Sequence, residues 1–362
     1  MYREKNRLMV AAAGSGKTSY LVRDALQHPG DTVLITTYTE ANEAEIRKKV
    51  IATCGCVPSN VRIQTWFSFL IQHGVKPFQG GMIEADVNGL LLVNTMSARG
   101  VGEGTPEQYY LSPNRRIYSD KLAKLVIRCN QKSGGKVFDR MSRVFSQIFI
   151  DEVQDLAGYD LDVLKELFVS RARVLLVGDP RQVTYLTHNE PRLKKYADGK
   201  ICEFVAEQCR PLHVQVDDST LSCSHRSHRL ICELSDQLYP AMRATASTQS
   251  VVTSHDGVFL VGKKHVGGYL SQLQPTQLRP DRRVKVDSAF PVYNFGESKG
   301  LSFDRVLIYP TKDMLGWVFD RQTKLATMTR AKLYVALTRA RHSVALVWEG
   351  EGRLPPQIAR WP

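Results

Sequence analysis

Lysine followed by threonine at the end of a glycine-containing turn carries a definite chemistry. In Ala11-Ala12-Ala13-Gly14-Ser15-Gly16-Lys17-Thr18, two glycines let the backbone curl so that successive N–H groups face an anion. Ala13, Gly14, Ser15 and Gly16 would cradle phosphates, Lys17 would bring a mobile positive charge to the outer ones, and the Thr18 hydroxyl would ligate Mg²⁺. The complete pattern is G-x-x-x-x-G-K-[ST], and its first glycine is Ala11 here. A second constellation, Asp151-Glu152, closes the apolar run from Ser146 to Ile150. Asp151 can hold Mg²⁺, usually through water, and Glu152 can take a proton from an attacking water. The acidic pair alone is a weak signal; nucleotide hydrolysis needs it together with the phosphate loop. Gln182, in Gly178-Asp179-Pro180-Arg181-Gln182, could sense a terminal phosphate or could simply close a turn.

These residues need a scaffold that delivers them to one edge. Leu8-Met9-Val10 reads as a buried strand before the loop, and Ser19 to Gln27 as a helix after it whose positive end faces the phosphates. Thr32 to Thr36 and Glu40 to Ile51 repeat the pattern. Two strand–helix units in tandem imply a parallel sheet covered by helices, with ligands at the carboxyl ends of its strands. Thr37, Tyr38 and Thr65 stand at such ends. Hydroxyls around an aromatic could hold phosphates and stack a base; a helix cap beside a surface aromatic fits the same residues. The aromatics from Trp66 to Phe69 read as core. Residues from about Lys76 to Lys136 change character and read as an inserted subdomain, with a basic helix from Ser119 to Cys129 whose Lys121, Lys124 and Arg128 could contact nucleic acid but are expected by default on a solvated face. From about Val214 a second α/β block begins, with helices at Ser227 to Leu238 and Lys332 to Ala340 and strands at Gly257 to Val261, Ala289 to Asn294, Arg305 to Tyr309 and Ser343 to Trp348.

Composition narrows the partner. Lys and Arg number 49 against 36 Asp and Glu, a net charge of +13, which favours a polyanion, nucleic acid first. No apolar run approaches the roughly 20 residues of a membrane span, and the polar start runs straight into the loop, so neither a membrane nor a secretory leader is expected and the cytoplasm is the expected compartment. The seven cysteines are scattered without C-x-x-C spacing, which reads as buried reduced thiols rather than a zinc site.

With these residues placed, the chain resembles superfamily 1 helicases of the UvrD/Rep/PcrA kind across most of both blocks. Gly14 to Thr18 is similar to motif I, Thr36 to Thr39 to motif Ia, and Gln64 to Phe67 to motif Ib. Asp151-Glu152-Val153-Gln154-Asp155 resembles motif II, and Gly178 to Gln182 through Tyr185 motif III. His225-Arg226-Ser227 resembles motif IV, Lys299 to Asp304 motif V, and Tyr334 to Ala340 motif VI. The resemblance implies an α/β fold of two RecA-like P-loop NTPase domains with parallel sheets and an ATP cleft between them. Residues 1–75 and 137–213 would form the first domain, 76–136 its insertion, and 214–362 the second. It further implies ATP and Mg²⁺ as cofactors, and Arg226 and Arg339 as the guanidiniums completing the site beside Lys17, Glu152 and Gln182. His225 and Gly300 would line the nucleotide, Thr18 and Asp151 would hold the metal, and Thr37, Tyr38, Thr65 and Tyr185 would touch the strand. The implied activity is ATP-driven movement on single-stranded DNA, or on a duplex with a single-stranded tail, usually 3′ to 5′.

The sequence departs from that pattern at defined positions. About ten residues precede the loop, where the family carries its glutamine motif some twenty residues upstream. An aromatic expected to stack on adenine is His225, a Trp-Arg pair is Thr187-His188, and a motif V glutamate is Ser302. Only about 70 residues separate motifs IV and V, too few for the large insertion of long members. These departures bear on strand separation more than on hydrolysis. They keep open a second class, an ATP-gated regulatory or loading subunit partnered with a nuclease, as in phage defence.

Overall fold

The computed structural model describes residues 6–184, 191–350 and 354–362. The chain divides into two compact units. The first comprises Lys17–Pro180 and Leu186–Asp217 together with the residues up to Val10; the second comprises Ala11–Gly16, Arg181–Tyr185 and Asp218–Pro362.

In the first unit, β-branched and aliphatic runs form six strands: β1 (Arg7–Val10), β2 (Val33–Thr37), β3 (Val61–Thr65), β4 (Gln147–Ile150), β5 (Arg173–Gly178) and β6 (Gln215–Asp217). They pair in the order β3-β2-β4-β5-β1-β6, parallel throughout. Parallel strands covered on both faces are apolar along their length rather than alternating. Accordingly β2 and β4 are buried at every residue. Helices α1 (Lys17–Leu26) and α2 (Glu40–Cys54) follow β1 and β2. Thr39 caps α2, its side chain accepting from Asn42 N.

A short helix α3 (Trp66–Phe69) continues as a π-helical turn over Leu70–Val75. Its aromatics are core, as their sequence suggests: Trp66 is 1% exposed and its indole N–H donates to the buried Asp160 Oδ1 at 2.8 Å. Helices α4 (Ser119–Lys132), α5 (Lys136–Val144) and α6 (Tyr159–Val169) lie in the same unit, and α4 packs against the π turn and α6. The basic face of α4 corrects the sequence expectation. Lys121 is 3% exposed and pairs with Asp120 at 3.2 Å. Lys124 pairs with Glu103, donates to the Tyr109 hydroxyl at 2.9 Å and lies over the Tyr109 and Tyr159 rings. Arg128 meets Glu103 at 3.0 Å. Lys121 and Lys124 are turned to carboxylates and ring faces rather than to solvent, while Arg128 keeps 37% of its side chain exposed beside Glu103.

The second unit contains β7 (Gly257–Gly262), β8 (Thr276–Arg279), β9 (Val292–Asn294), β10 (Phe303–Ile308), β11 (Ala340–Trp348) and β12 (Ala359–Arg360). Their order is β9-β8-β10-β11-β7-β12, again all parallel. Counted from its own first strand, this is the order of the first sheet, so each half folds as the same open α/β unit. Helices α7 (Arg229–Asp236), α8 (Val266–Leu273), α9 (Lys312–Phe319) and α10 (Thr327–Leu337) accompany it. Helix α10 ends three residues before the Ala340 expected from sequence. There the Thr338 hydroxyl donates back to Tyr334 O at 2.8 Å, so Arg339 falls in the turn before β11.

The cysteines divide. Cys129, Cys209 and Cys232 are buried, with burial pushing the thiols up to about 12, 11 and 12. Cys54 and Cys56 are exposed, against the sequence expectation, because they lie at the solvent end of α2. No helix among the described residues is long and apolar enough to cross a membrane.

Candidate active site

At the carboxyl edge of the first sheet, adjacent strands end in register. Thr37 of β2 stands opposite Thr65 of β3, and β4 and β5 run directly into Asp151-Glu152 and Asp179. Lys17, first residue of α1, reaches this edge and pairs with Glu152 Oε1 at 2.9 Å. Burial works against the Lys17 charge as the largest influence, but Glu152, Asp151 and Asp179 outweigh it and hold the ammonium above its ordinary value. The Thr18 hydroxyl lies 3.5 Å from Asp151 Oδ2. Asp151 is 4% exposed, and burial together with the Glu152 charge pushes its carboxyl up to about 6 against the pull of Lys17. A hydroxyl beside a carboxylate whose charge is poorly compensated is an all-oxygen donor set suited to Mg²⁺.

Glu152 is held in an unusual backbone conformation, φ 55° and ψ 38°. For a non-glycine residue this costs about 1–3 kcal/mol. The surroundings fix it: its N–H donates to Asp151 Oδ1 at 2.9 Å and its carbonyl accepts from Asp155 N at 3.1 Å. Its second carboxylate oxygen accepts from Gln154 Nε2 at 2.5 Å. Gln154 is 2% exposed and in turn accepts from Asp179 N at 3.1 Å. Gln154 and Asp179 thus belong to the site. Sequence reasoning quoted both inside motifs without giving either a role, and their positions beside Glu152 and after β5 were the signal.

The second unit holds the other expected residues. Gly14 and Gly16 adopt φ of 77° and 81°, as a loop that turns its amides inward requires. The Gly14 carbonyl accepts from His225 N at 3.0 Å and Ala12 N donates to Leu221 O at 2.8 Å. Ala13 and Ser15 are buried, and the Ser15 hydroxyl has no hydrogen-bond partner among the described residues. His225 is exposed, its ring nitrogen 2.6 Å from Thr248 Oγ1. Arg226 Nη1 donates to Ser302 Oγ at 2.8 Å. Gly300 lies in the turn before β10 with φ 86°. Arg339 is 2% exposed: Nε donates to Val335 O, Nη1 to Leu301 O, and Nη2 to Gln182 Oε1 at 3.2 Å. Gln182 both ends the 3-10 turn Pro180–Gln182 and accepts from Arg339.

The expected strand contacts fare unevenly. Thr37 is 1% exposed with its hydroxyl unpartnered among the described residues. Tyr38 is half-buried, its ring edge-on to Phe67 at 5.2 Å, and burial with Asp160 and Asp155 pushes its hydroxyl up to about 12. Thr65 spends its hydroxyl on α3, accepting from Ser68 N at 3.2 Å and bonding Ser68 Oγ at 2.9 Å. Tyr185, with Thr187 and His188, lies outside the described residues.

Two family models match the chain, an AAA domain over residues 1–188 and a viral superfamily 1 RNA helicase core domain over residues 120–347. Each spans more than half of its length, and the chain belongs to the superfamily 1 helicases. Among solved structures it is similar to the PRRSV helicase, at 16% identity and a TM-score of 0.46 over 95% of this chain and 52% of that one. It is also similar to arterivirus nonstructural protein 10 (helicase) in complex with DNA, at 14% identity and a TM-score of 0.47 over 95% of this chain and 60% of that one. The chain thus spans between half and three fifths of the length of those proteins. No curated protein matches it.

Proposed function

We propose that this protein hydrolyses ATP and uses the cycle to move along single-stranded nucleic acid. The observation that carries the reading is the Lys17–Glu152 ion pair at 2.9 Å beside the Thr18–Asp151 contact. It brings an ammonium, a carboxylate and a hydroxyl–carboxylate pair to one sheet edge, which supports their assignment as phosphate cation, base and metal ligands.

In this reading Gly14 to Gly16 and Lys17 bind the phosphates. Thr18 and Asp151 hold Mg²⁺, which when bound neutralises charge on the phosphate oxygens. Water attacks the terminal phosphorus, its proton passes to the Glu152 carboxylate, and the bond to the departing diphosphate breaks. Gln154 and Lys17 hold one Glu152 oxygen each, which fixes the base without protonating it. Arg226 and Arg339 supply the guanidiniums for charge on the transferring group, with Gln182 orienting Arg339. His225 and Gly300 are assigned to the nucleotide, and Thr37 and Tyr38 to the strand.

The finer assignments rest on motif order. Motifs IV to VI support kinship with the UvrD/Rep/PcrA branch and hence 3′-to-5′ movement on DNA, while the viral family model supports RNA. Phosphate release is therefore titrated with single-stranded DNA, duplex DNA and RNA at a fixed salt concentration. Stimulation by one single strand is expected and names the polymer; no stimulation by any of them overturns the motor. Hydrolysis that displaces no bound roadblock would assign the chain to gating instead.

A further inference from the structure

A cavity of about 930 Å³ opens where β7, β11 and β12 end side by side, lined by Gly262 to His265, Trp348 to Gly350 and Arg360 to Pro362. These strands are adjacent in the second sheet and parallel, with Gly262 opposite Trp348 and Leu260 opposite Arg360. The carboxyl end of a parallel sheet is where open α/β folds bind ligands, and the volume is that of an ordinary ligand pocket. Within the second unit it lies at the opposite end of β11 from Arg339. Arg339 precedes the first residue of β11 and Trp348 is its last. The nine residues of that strand separate them by about 30 Å at ~3.3 Å per residue.

The lining combines cations with indoles. Lys263 is committed to Glu349 at 2.6 Å. Lys264 and Arg360 are exposed and pair with no carboxylate among the described residues. The Arg360 guanidinium lies over the Trp348 ring, 5.4 Å from its centroid. Trp361 is half-buried, braced edge-on by Tyr269 at 5.2 Å and approached by His265 at 6.4 Å. Free cations track a phosphate backbone, and a braced indole offers a face to any base, which is the pairing that sequence-tolerant strand binding uses.

We propose that this cavity holds a segment of single-stranded nucleic acid, with phosphates on Lys264 and Arg360 and a base against Trp361. This goes beyond the hydrolytic reading and does not rest on it. The strand contacts assigned from motifs Ia, Ib and III include none of these residues. The lining joins residues 262–265 to residues 348–350 and 360–362, more than 80 positions later, and the sheet order brings them together.

The test is fluorescence anisotropy of fluorescein-labelled oligothymidylate and oligouridylate of about 16 nucleotides, without ATP, across roughly 50 to 200 mM salt. The variant Lys264→Glu/Arg360→Glu is expected to bind at least about tenfold more weakly. The slope of log affinity against log salt should be shallower by about 1.4, as loss of two single-strand phosphate contacts requires. Trp361→Leu should weaken binding about tenfold with the slope unchanged. Wild-type affinity and slope in the charge variant overturn the proposal. Full affinity in Trp361→Leu overturns the stacking. Should a variant fail to fold, photo-cross-linking of a 5-iodouracil oligonucleotide to the wild-type chain decides: adducts within 262–265 or 359–362 support the cavity, and adducts confined to the first unit refute it. Because binding is read without ATP, its failure is separate from failure of hydrolysis, which shows in phosphate release.

Discussion

Arg226 Nη1 donates to Ser302 Oγ at 2.8 Å, joining residues from motifs IV and V across 76 positions of sequence. The acceptor is a neutral hydroxyl where the family resemblance leads one to expect a glutamate. A hydroxyl fixes the direction of a guanidinium without itself bringing a counter-charge. A hydrogen bond to a charged group contributes about 1.5–3 kcal/mol. Ser302→Ala should therefore lower kcat for ATP about tenfold or more with little change in KM, and Ser302→Thr should restore it. Ser302→Glu should lower kcat further by pairing with Arg226. Steady-state phosphate release on the three variants decides it; wild-type kcat in Ser302→Ala would detach Ser302 from the reaction.

Lys17 and Glu152 face each other at 2.9 Å but should fail differently. Lys17→Ala leaves Asp151, Glu152 and Asp179 around an empty space and removes the charge assigned to the outer phosphates, so both ATP binding and turnover should be lost. Glu152→Gln keeps the shape and the contact with Gln154 but cannot take a proton at neutral pH. It should bind ATP near wild-type affinity while turnover falls by about 10²–10⁴. Titration with a fluorescent ATP analogue alongside phosphate release separates the two. Normal hydrolysis by Glu152→Gln would remove it as the base.

Glycine at 178 has a steric cause. A Cβ there would lie 2.3 Å from Gln154 Oε1 and 2.9 Å from Val153 Cγ1. The side chain it would displace is the one that accepts from Asp179 N and donates to Glu152. Gly178→Ala is expected to lower kcat about tenfold or more by releasing Glu152, and Gln154→Ala to do the same without the clash. If Gly178→Ala lowered thermal stability alone and left kcat intact, Gln154 would be a structural residue only.

The chemistry-bearing part of the site was legible because it depends on residue type at short spacing. Gly14 to Thr18 and Asp151-Glu152 declare their roles within a few positions, and the apolar runs around them could be read as parallel strands. What was not legible depends on residues distant in sequence. The charged face of α4 reads as solvated until Glu103, Tyr109 and Tyr159 are seen to meet Lys124 and Arg128. The Thr65 hydroxyl fits a strand contact and a helix cap alike until Ser68 is seen to take it. Ser302 registers as a missing glutamate until Arg226 is found beside it, and helix periodicity gives no sign that Arg339 would be buried and bonded to Gln182.

His73 gives the first unit an acid-sensitive point. It sits in the π turn among the rings of Phe69 and Phe145, at 5.8 and 4.9 Å, with Nδ1 unpartnered among the described residues. Burial, then Arg140 and Arg62, lower its pKa to about 4. The unfolded chain takes up a proton here near pH 6.5 and the folded one only near 4, so the native state is favoured above the upper value. That contribution is lost as pH falls from about 6.5 to 4. Allowing for partial exposure, it amounts to roughly 2 kcal/mol. His73→Phe keeps a ring against Phe145 and removes the titration. Thermal melts at pH 7.5 and 5 should show the wild-type Tm falling more than the variant's. Parallel declines in the two proteins would place the acid sensitivity elsewhere.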